Sequence, residues 1–416
     1  MPLFQMLKFS NYRKILFSNI VNRFGDSIDS LIFTWLVYSL TNSASWSAII
    51  FGFNQGTSII FQPLVGPLVD NKNPKRIMVV SDIIRVCMVL GVLGMYHNNF
   101  IKPYYLIITT IVVSIAEAFH MPASVSILQS SMEKEVIDSG MSYNVSLSKI
   151  SILIGSAIGG IIVSSISIEL ALLIDVVAFV FSAISVVRVS DTVSMTDNSE
   201  KYIYSLKTGF VYLFTNKALV LLCFECILIN IAVVPFDALL APISSEIYRG
   251  NADIISLLSI TVTIGTIVGA LFYNKIKPQN RNLLIINICG ISLGLYYFVL
   301  VILPVIFGKI IQIIILAILS TIMGMILGIM ITYVQTEFIK HVKKSYIGRI
   351  SAIRYSVTYC LAPITAFIIS YMSTKLDIRR IFYFSSAFIM VSFLIMLLIY
   401  LLYYREELEN NGSLVK

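Results

Sequence analysis

Long apolar runs dominate this chain, and short polar segments separate them. About twelve of these runs are long enough to cross a bilayer, whose apolar core of about 30 Å needs about 20 apolar residues per helix. The runs lie near residues 15–40, 45–68, 76–96, 103–128, 145–166, 168–189, 217–239, 252–274, 282–304, 308–334, 350–372 and 381–403. The pattern therefore predicts an all-α integral membrane protein with about twelve transmembrane helices.

The longest polar interruption extends from about Ser190 to Asn216 and divides the runs into two equal sets. We therefore predict an N-terminal six-helix bundle at 1–189, a cytoplasmic linker at 190–216, a C-terminal six-helix bundle at 217–404 and a cytoplasmic tail at 405–416. Within the linker, Lys207 to Lys217 is expected to form a short helix along the membrane surface.

The composition agrees with lipid as the main solvent. Hydrophobic residues make up 57% of the 416 residues, charged residues only 12%, and the mean hydropathy is +0.89. A soluble domain has about 25% charged residues, so this chain has too little charge to cover a water-exposed surface of its size.

The net charge of +8 indicates topology rather than nucleic-acid binding. Sorted by alternate loops, about 21 of the Lys and Arg residues fall on one side and about 6 on the other. Excess Lys and Arg marks cytoplasmic loops, so we expect both termini in the cytoplasm and the protein in the cytoplasmic membrane. Lys375, Arg379 and Arg380, which fall on the outer side before the last span, are exceptions to this pattern.

Residues suited to metal, redox or hydrolytic chemistry are too scattered to form a site. The five cysteines all lie within apolar runs, and His97, His120 and His341 are far apart. The chain has no zinc-ligand spacing, no Gly-rich phosphate loop and no Ser-His-Asp arrangement. We therefore expect no metal, no cofactor other than a proton gradient as the energy source, and no enzymatic activity.

The most specific motif lies between the second and third runs. It reads Gly66-Pro67-Leu68-Val69-Asp70-Asn71-Lys72-Asn73-Pro74-Lys75-Arg76, and Asp82 and Arg85 follow it. This segment resembles the loop signature of the major facilitator superfamily of secondary transporters, although Asn71 and Asn73 depart from it. The resemblance implies two six-helix bundles that hold a substrate between them near the membrane midplane.

We interpret part of this motif as a gate at the cytoplasmic mouth of a transporter. Ion pairs formed there would hold the outward-open state and break on the return stroke. The residues of this predicted gate latch are Gly66, Asp70, Arg76, Asp82 and Arg85. The alternative is that these charges only set the topology, which explains the lysines better than it explains Asp70 and Asp82.

Other segments resemble the drug exporters that include the macrolide efflux proteins. They comprise Met121-Pro122-Ala123, the set Asp175, Phe179 and Ser182, and Gln335 followed by Gly348-Arg349. The segment Gly155-Ser156-Ala157-Ile158-Gly159-Gly160 resembles the antiporter signature of the fifth span, with Ser156 where a proline is usual. Gly155, Gly159 and Gly160 permit close helix contact, and ordinary small-residue packing is the alternative role.

Ionisable side chains within the apolar runs are the candidates for transport chemistry, because each is costly in lipid unless it is paired or hydrated. In the first run, a spacing of three or four residues places Asn22, Arg23, Asp26 and Asp29 along one helical face, which should turn toward a central cavity. Asp26 and Asp29 cannot both be charged cheaply there, so one is expected to bind the proton that drives transport. A fixed ion pair between Arg23 and Asp26 is the structural alternative.

Further candidates come from other runs. Glu117 is the second choice for a proton carrier or for contact with a cationic substrate, and Glu225 and Asn230 lie at similar depths in the other half. Tyr359 is placed to stack on a flat substrate. Asp175 and Asp237 lie nearer the outer side, where a solvated role is at least as favoured.

Together these features predict a secondary active transporter that exports a small amphipathic or lipophilic compound, a drug or a metabolite, by proton antiport with alternating access. The alternatives are a dedicated exporter of one metabolite and a proton-coupled uptake symporter. A membrane sensor or enzyme is less favoured, because the chain has no clustered catalytic groups and no room for a soluble output domain. We expect a monomer whose partners are protons, a small-molecule substrate and the lipid bilayer.

Overall fold

The computed structural model describes residues 6–70, 73–133, 136–165, 167–190, 210–249, 252–276, 282–341 and 356–413. Long helices make up nearly all of this part of the chain, and no strand occurs in it. The predicted all-α membrane fold is confirmed.

The helices are labelled in chain order. The first six are α1 (Ser10–Thr41), α2 (Ala44–Asp70), α3 (Pro74–His97), α4 (Pro103–Ser130), α5 (Ile137–Ser165) and α6 (Ile168–Val187). The others are α7 (Lys217–Ala238), α8 (Ala252–Ile276), α9 (Asn282–Ile306), α10 (Lys309–His341), α11 (Ala362–Ser373) and α12 (Ile378–Ser413). A short helix at Leu240–Pro242 and a π-helix at Ile243–Ile247 follow α7.

Length and hydropathy qualify ten helical segments in the described part of the chain as membrane spans, and one of them, Ser356–Ser373, contains α11. The helices α1 and α2 do not qualify. The low hydropathy of α1 has a local cause, because its buried face includes Asn19, Asn22 and Asp29. This polar face packs against other helices rather than against lipid, and α1 has its most extensive contacts with α5 and α6. A helix whose polar face is covered by protein can lie in a membrane bundle at low mean hydropathy.

Turn chemistry sets several of the helix ends. Asn73 caps α3, since its side-chain oxygen accepts the backbone N–H groups of Lys75 and Arg76, and Pro74 occupies the first helical position. At the end of α1, Asn42 adopts a left-handed conformation with φ of 48° and donates its backbone N–H to the Tyr38 carbonyl.

The helices pack as two bundles. In the first, α1 packs on α5 and α6, while α4 packs on α2 and α3; in the second, α8 packs on α10, and α9 packs on α10 and α12. Contacts between the bundles are made chiefly by α2 with α11 and by α5 with α8. We call the bundles the N-terminal half and the C-terminal half. The end of the helices at which α1 begins is called the terminal side, and the opposite end the far side.

Side-chain hydrogen bonds join the two halves at the far side. The Tyr38 hydroxyl donates to Glu246 Oε1 over 3.2 Å, and the hydroxyls of Ser45 and Ser370 are 2.8 Å apart. Glu246 belongs to the π-helix, outside the spans, where partial burial raises the pKa of its carboxyl and nearby Asp377 adds to this effect. Toward the terminal side, Lys149 donates to Gln335 Oε1 over 3.1 Å.

Glycines allow α5 to approach helices of both halves. A Cβ atom on Gly155 would meet the Ser27 hydroxyl and lie 2.8 Å from the Phe24 carbonyl oxygen of α1, and Gly159 also faces α1. A Cβ atom on Gly160 would lie 3.0 Å from the Cα atom of Ser256 on α8. The three glycines therefore lie at helix contacts, and Gly160 lies at the interface between the halves.

The helix α12 continues to Ser413, beyond the candidate membrane span at Ile378–Ile399, so residues 405–413 of the predicted tail are helical. Arg405, Glu406, Glu407 and Leu408 all favour helix, which explains the extension. Of the predicted linker, residues 191–209 lie outside the described residues, and residues 210–215 are helical within the short helix predicted at 207–217.

The far-side contact between Ser45 and Ser370 predicts a cross-link. In a background without the native cysteines, the double variant Ser45→Cys, Ser370→Cys is expected to form a disulfide between α2 and α11, because the two hydroxyl oxygens already lie 2.8 Å apart. Mass spectrometry of proteolytic peptides checks for the linked pair. Each single variant is the control, and failure of the double variant to cross-link under oxidising conditions would contradict the observed contact.

Candidate functional site

Two cavities lie between the halves along the axis of the protein. The first has a volume of about 590 Å³ and lies toward the terminal side, and the second, of about 390 Å³, lies toward the far side. The first is lined mainly by apolar and amide side chains, including Asn19, Gln62, Met121, Asn144, Ile152, Ile229, Asn230, Val334, Gln335 and Tyr359. The second is more acidic, since Asp26, Glu117 and Asp237 all contribute to its lining.

Arg23 and Glu117 lie between the two cavities, because both residues line both of them. Arg23 Nη1 is 2.5 Å from Glu117 Oε1 and 3.0 Å from Asp26 Oδ2. Arg85 Nη1 contacts the other oxygen of Asp26 at 3.0 Å. The result is a chain of alternating charges, Glu117–Arg23–Asp26–Arg85, that joins α4, α1 and α3.

Water can reach this chain of charges at one end only. The side chains of Arg23, Asp26 and Glu117 keep 15%, 14% and 23% of their surface exposed, whereas Arg85 is completely buried. Arg23 and Glu117 can therefore exchange partners with water or a ligand in the cavities, while Arg85 stays fixed to the protein interior. The predicted Arg23–Asp26 ion pair is present, so a coupling role for Asp26 requires that this pair break during the cycle.

Behind the cavities, Asp82 and Arg85 anchor a buried hydrogen-bond network in the N-terminal half. Asp82 Oδ1 accepts the Asn22 amide over 2.9 Å, and its Oδ2 accepts the Ser182 hydroxyl over 2.6 Å. Arg85 Nη1 donates to Asn22 Oδ1 over 3.0 Å, and the guanidinium lies 5.0 Å from the centre of the Phe179 ring. The network ties α1, α3 and α6 together.

The structure separates the residues of the predicted gate latch. Arg76 is exposed at the start of α3, whereas Asp82 and Arg85 are fully buried on the inner face of the same helix. Their spacing of three residues places both on that face, so they pair with α1 and α6 instead of with the loop. The side chain of Asp70 and the surroundings of Gly66 lie outside the described part of the structure.

Two of the predicted carboxylates do not reach the main cavities. Glu225 is completely buried outside the lining of either cavity, and neither of its oxygens has a hydrogen-bond partner among the described residues. Asp29 is also buried, because it lies one turn beyond Asp26 on the side of α1 that faces a smaller chamber. The expectation that Asp26 and Asp29 face the same cavity is therefore wrong.

The other predicted residues divide between cavity and interior. Asn230 and Tyr359 line the first cavity, and the Asn230 amide donates to the Thr358 carbonyl over 3.1 Å. Asp237 lines the second cavity. Asp175 is completely buried beside Gly25 of α1, so the solvated role suggested for it is corrected.

Sequence reasoning missed the amide cluster at the terminal side of the first cavity. Asn19 donates to Asn144 Oδ1 over 2.8 Å and accepts the Ser124 hydroxyl over 2.6 Å, which links α1 with α5 and α4. A signal for Asn19 existed, because it lies three residues before Asn22 and seven before Asp26 on the same helical face. No comparable signal pointed to Asn144, whose role depends on how α5 packs.

Comparison with known sequences gives a family and several relatives. A family profile of the Major Facilitator Superfamily matches residues 15–364, which confirms the resemblance seen in the sequence. Macrolide efflux protein A of Streptococcus pyogenes is 24% identical over 349 residues, covering 79% of this chain and 81% of that protein. Macrolide efflux protein A of Enterococcus faecalis is 25% identical over 324 residues, with coverage of 73% and 94%.

A third relative and two solved structures extend the comparison. The putative bacilysin exporter BacE of Bacillus subtilis (strain 168) is 26% identical over 250 residues, covering 58% of this chain and 61% of BacE. The nucleoside transporter NupG superposes with a TM-score of 0.66 at 15% identity, covering 93% of this chain and 98% of NupG. A bacterial homologue of the lysosomal transporter Spinster, in an inward-facing and unoccupied conformation, superposes with a TM-score of 0.66 at 12% identity, with coverage of 94% and 95%. Both structures support the fold.

The different burial of the two arginines of α3 predicts different stability effects. Arg85→Leu is expected to destabilise the protein by about 3–5 kcal/mol, because it leaves Asp26 Oδ1 and Asn22 Oδ1 without their buried donor. Arg76→Leu, at an exposed position on the same helix, is the matched control and should change stability by about 0.5 kcal/mol or less. Thermal unfolding of both variants in detergent is the measurement, and equal midpoints would contradict the structural role of Arg85.

Proposed function

This chain belongs to the Major Facilitator Superfamily, and we propose that it exports a small amphipathic compound in exchange for protons. The observation that carries this proposal is the Arg23–Glu117 ion pair, which lies at the boundary between a terminal-side cavity and a far-side cavity. A group that borders both cavities is the one that can respond to solutes arriving from either side.

The orientation of the proposed transport follows from charge. The terminal side carries the excess of Lys and Arg, so it is assigned to the cytoplasm, and the far side to the exterior. The substrate enters the first cavity from the cytoplasm, and protons enter the second cavity from outside. Rocking of the two halves, which meet along α2–α11 and α5–α8, opens the cavities in turn.

The proposed coupling uses exchange of partners around Arg23. A proton that binds Glu117 or Asp26 neutralises that carboxylate and weakens its attraction to the guanidinium. Arg23 then keeps the other carboxylate. When Glu117 is the carboxylate that binds the proton, the contact between α1 and α4 inside the N-terminal half loosens, and this changes the wall that the half presents to both cavities. A cationic substrate near Glu117 would favour release of the proton from that carboxylate. The proton and the substrate would then occupy the site at Glu117 in turn. Arg85 holds Asp26 in position throughout.

The cavities favour an amphipathic and preferably cationic substrate. The first cavity has a volume of about 590 Å³, within the range of about 300–1,000 Å³ typical of sites for drug-sized ligands. Its apolar side chains suit a lipophilic body, its amides suit polar groups, and the carboxylates of the second cavity suit a positive charge. The macrolide efflux relatives support export of compounds of this class.

A dedicated exporter of one secreted metabolite is the second candidate function. The relation to the putative bacilysin exporter BacE favours it. The fixed amide cluster of Asn19, Asn144 and Ser124 favours it as well, because such groups position one specific ligand.

The proposed function predicts substrate-dependent proton movement. In liposomes that contain the purified protein and carry a pH gradient, a panel of lipophilic cations and macrolides should include compounds that trigger proton flux. Asp26→Asn and Glu117→Gln are each expected to reduce that flux at least about tenfold, because each removes a proton-binding group bordering the second cavity. A pH-sensitive dye inside the liposomes measures the flux.

The matched control for these variants is Glu169→Gln, which removes an exposed carboxylate paired with His97 away from both cavities. It should transport at the wild-type rate. Wild-type rates in both Asp26→Asn and Glu117→Gln would overturn coupling through these carboxylates. If no compound on the panel triggers flux, the proposed export of lipophilic cations or macrolides fails and the dedicated-exporter candidate is favoured.

A further inference from the structure

A small chamber lies inside the N-terminal half, beside the second cavity. It is formed by α1, α2 and α4, and its polar lining comprises Asp29, Ser30, Thr34, Asn54 and Thr110. The volume open to the centre of a water-sized sphere is about 10 Å³, which is room for about one water molecule or one small ion. The chamber shares Ser30, Thr34 and Asn54 with the second cavity, which provides an entry path from the far side.

Two oxygen atoms of the chamber residues are buried without a hydrogen-bond partner in the described part of the chain. Asp29 Oδ1 and Thr110 Oγ1 are both buried, and neither forms a hydrogen bond with any residue that the structure describes. Asp29 as a whole is 5% exposed and Thr110 2% exposed, so bulk water does not satisfy these atoms. Buried polar atoms are nearly always satisfied, and two such atoms lining one small chamber indicate that something occupies it.

The charges around the chamber favour a cation over a neutral occupant. Asp29 lies one helical turn beyond Asp26 on α1, so it adds a second carboxylate close to the ion pairs of Asp26. Arg85 is already bonded to Asp26 and Asn22, and Arg23 is bonded to Asp26 and Glu117. Asp175 adds a further buried carboxylate, which lies beside Gly25 of α1. Carboxylates therefore outnumber arginines here, and an additional positive charge would relieve this imbalance.

We propose that this chamber binds one monovalent cation of about the size of Na⁺, with Asp29 Oδ1 and Thr110 Oγ1 as ligands and Asn54 as a further oxygen ligand. The polar groups that line the chamber are a carboxylate, hydroxyls and an amide, which suit a hard cation that prefers oxygen. A single carboxylate balances one positive charge, and the described residues that line the chamber include no imidazole or thiolate that would select a transition metal. The site is separate from the proposed exchange at Arg23 and does not depend on which compound is transported.

The test is direct ion binding to the purified full-length protein without substrate or gradient. Binding of ²²Na⁺ in detergent is expected to be saturable with about one ion per chain, and to be displaced by unlabelled Na⁺ but not by choline at equal ionic strength. Thermal unfolding should shift upward with NaCl relative to choline chloride, since an ion that binds only the folded state stabilises it.

Variants locate the site. Asp29→Asn and Thr110→Val are each expected to weaken ²²Na⁺ binding at least about tenfold, because each removes a ligand. Thr109→Val is the matched control: Thr109 is equally buried on the same helix but does not line the chamber, so this variant should bind as the wild type does. Thr110→Val changes no charge and keeps the side-chain shape, so it tests the site even if Asp29→Asn fails to fold.

Absence of saturable ²²Na⁺ binding by the wild type would overturn the proposal and assign the chamber to a water molecule or a proton on Asp29. Wild-type affinity in Thr110→Val would also overturn it. Either result leaves the substrate-dependent proton flux untouched, because that flux is measured through Asp26 and Glu117. Conversely, if no substrate-dependent proton flux is observed, the ion binding measured without substrate is not affected.

Discussion

Charge held inside a bilayer must be paired, and the pairing of Arg23 and Arg85 with Asp26 and Glu117 is the interaction on which the rest of this structure depends. It fixes how α1 lies against α3 and α4. It also determines where the two cavities meet, since the same Arg23–Glu117 pair borders both. Water reaches one part of this chain of charges, and that part is able to change partners. The buried part is structural.

The two halves of the protein contribute differently. The interior of the N-terminal half is charged and strongly hydrogen-bonded, whereas buried tyrosines satisfy their polar atoms within the C-terminal half, as Tyr297 does with the Ala232 carbonyl over 2.6 Å and Tyr296 with Ser320 over 3.1 Å. In the proposed cycle the N-terminal half therefore carries proton and ion chemistry. The C-terminal half supplies the opposite wall of the cavities, which is mainly apolar and includes a few polar residues such as Asn230 and Asp237.

Much of the fold could be predicted, because lipid imposes a simple rule on sequence. A span must be a long apolar helix, so the runs at 103–128 and 168–189 correspond closely to α4, Pro103–Ser130, and α6, Ile168–Val187. The candidate site could be predicted only in part. The spacing of Asn22, Arg23 and Asp26 indicated a functional face on α1, but the same spacing included Asp29, which lines a separate small chamber. Glu225 was assigned a similar depth in the other half, and the structure buries it outside both cavities.

The sequence by itself determined which residues lie in the membrane, where most helices begin and end, and which ionisable groups needed a partner there. Only the tertiary structure decided which side chains pair with one another. The pairs are Arg85 with Asp26, Asp82 with Ser182, Arg23 with Glu117, and Asn19 with Asn144. The physical reason is that these two kinds of property depend on different distances along the sequence. Hydropathy and helical periodicity are local and can be read along one run, whereas pairing depends on how helices distant in sequence rotate and pack against one another.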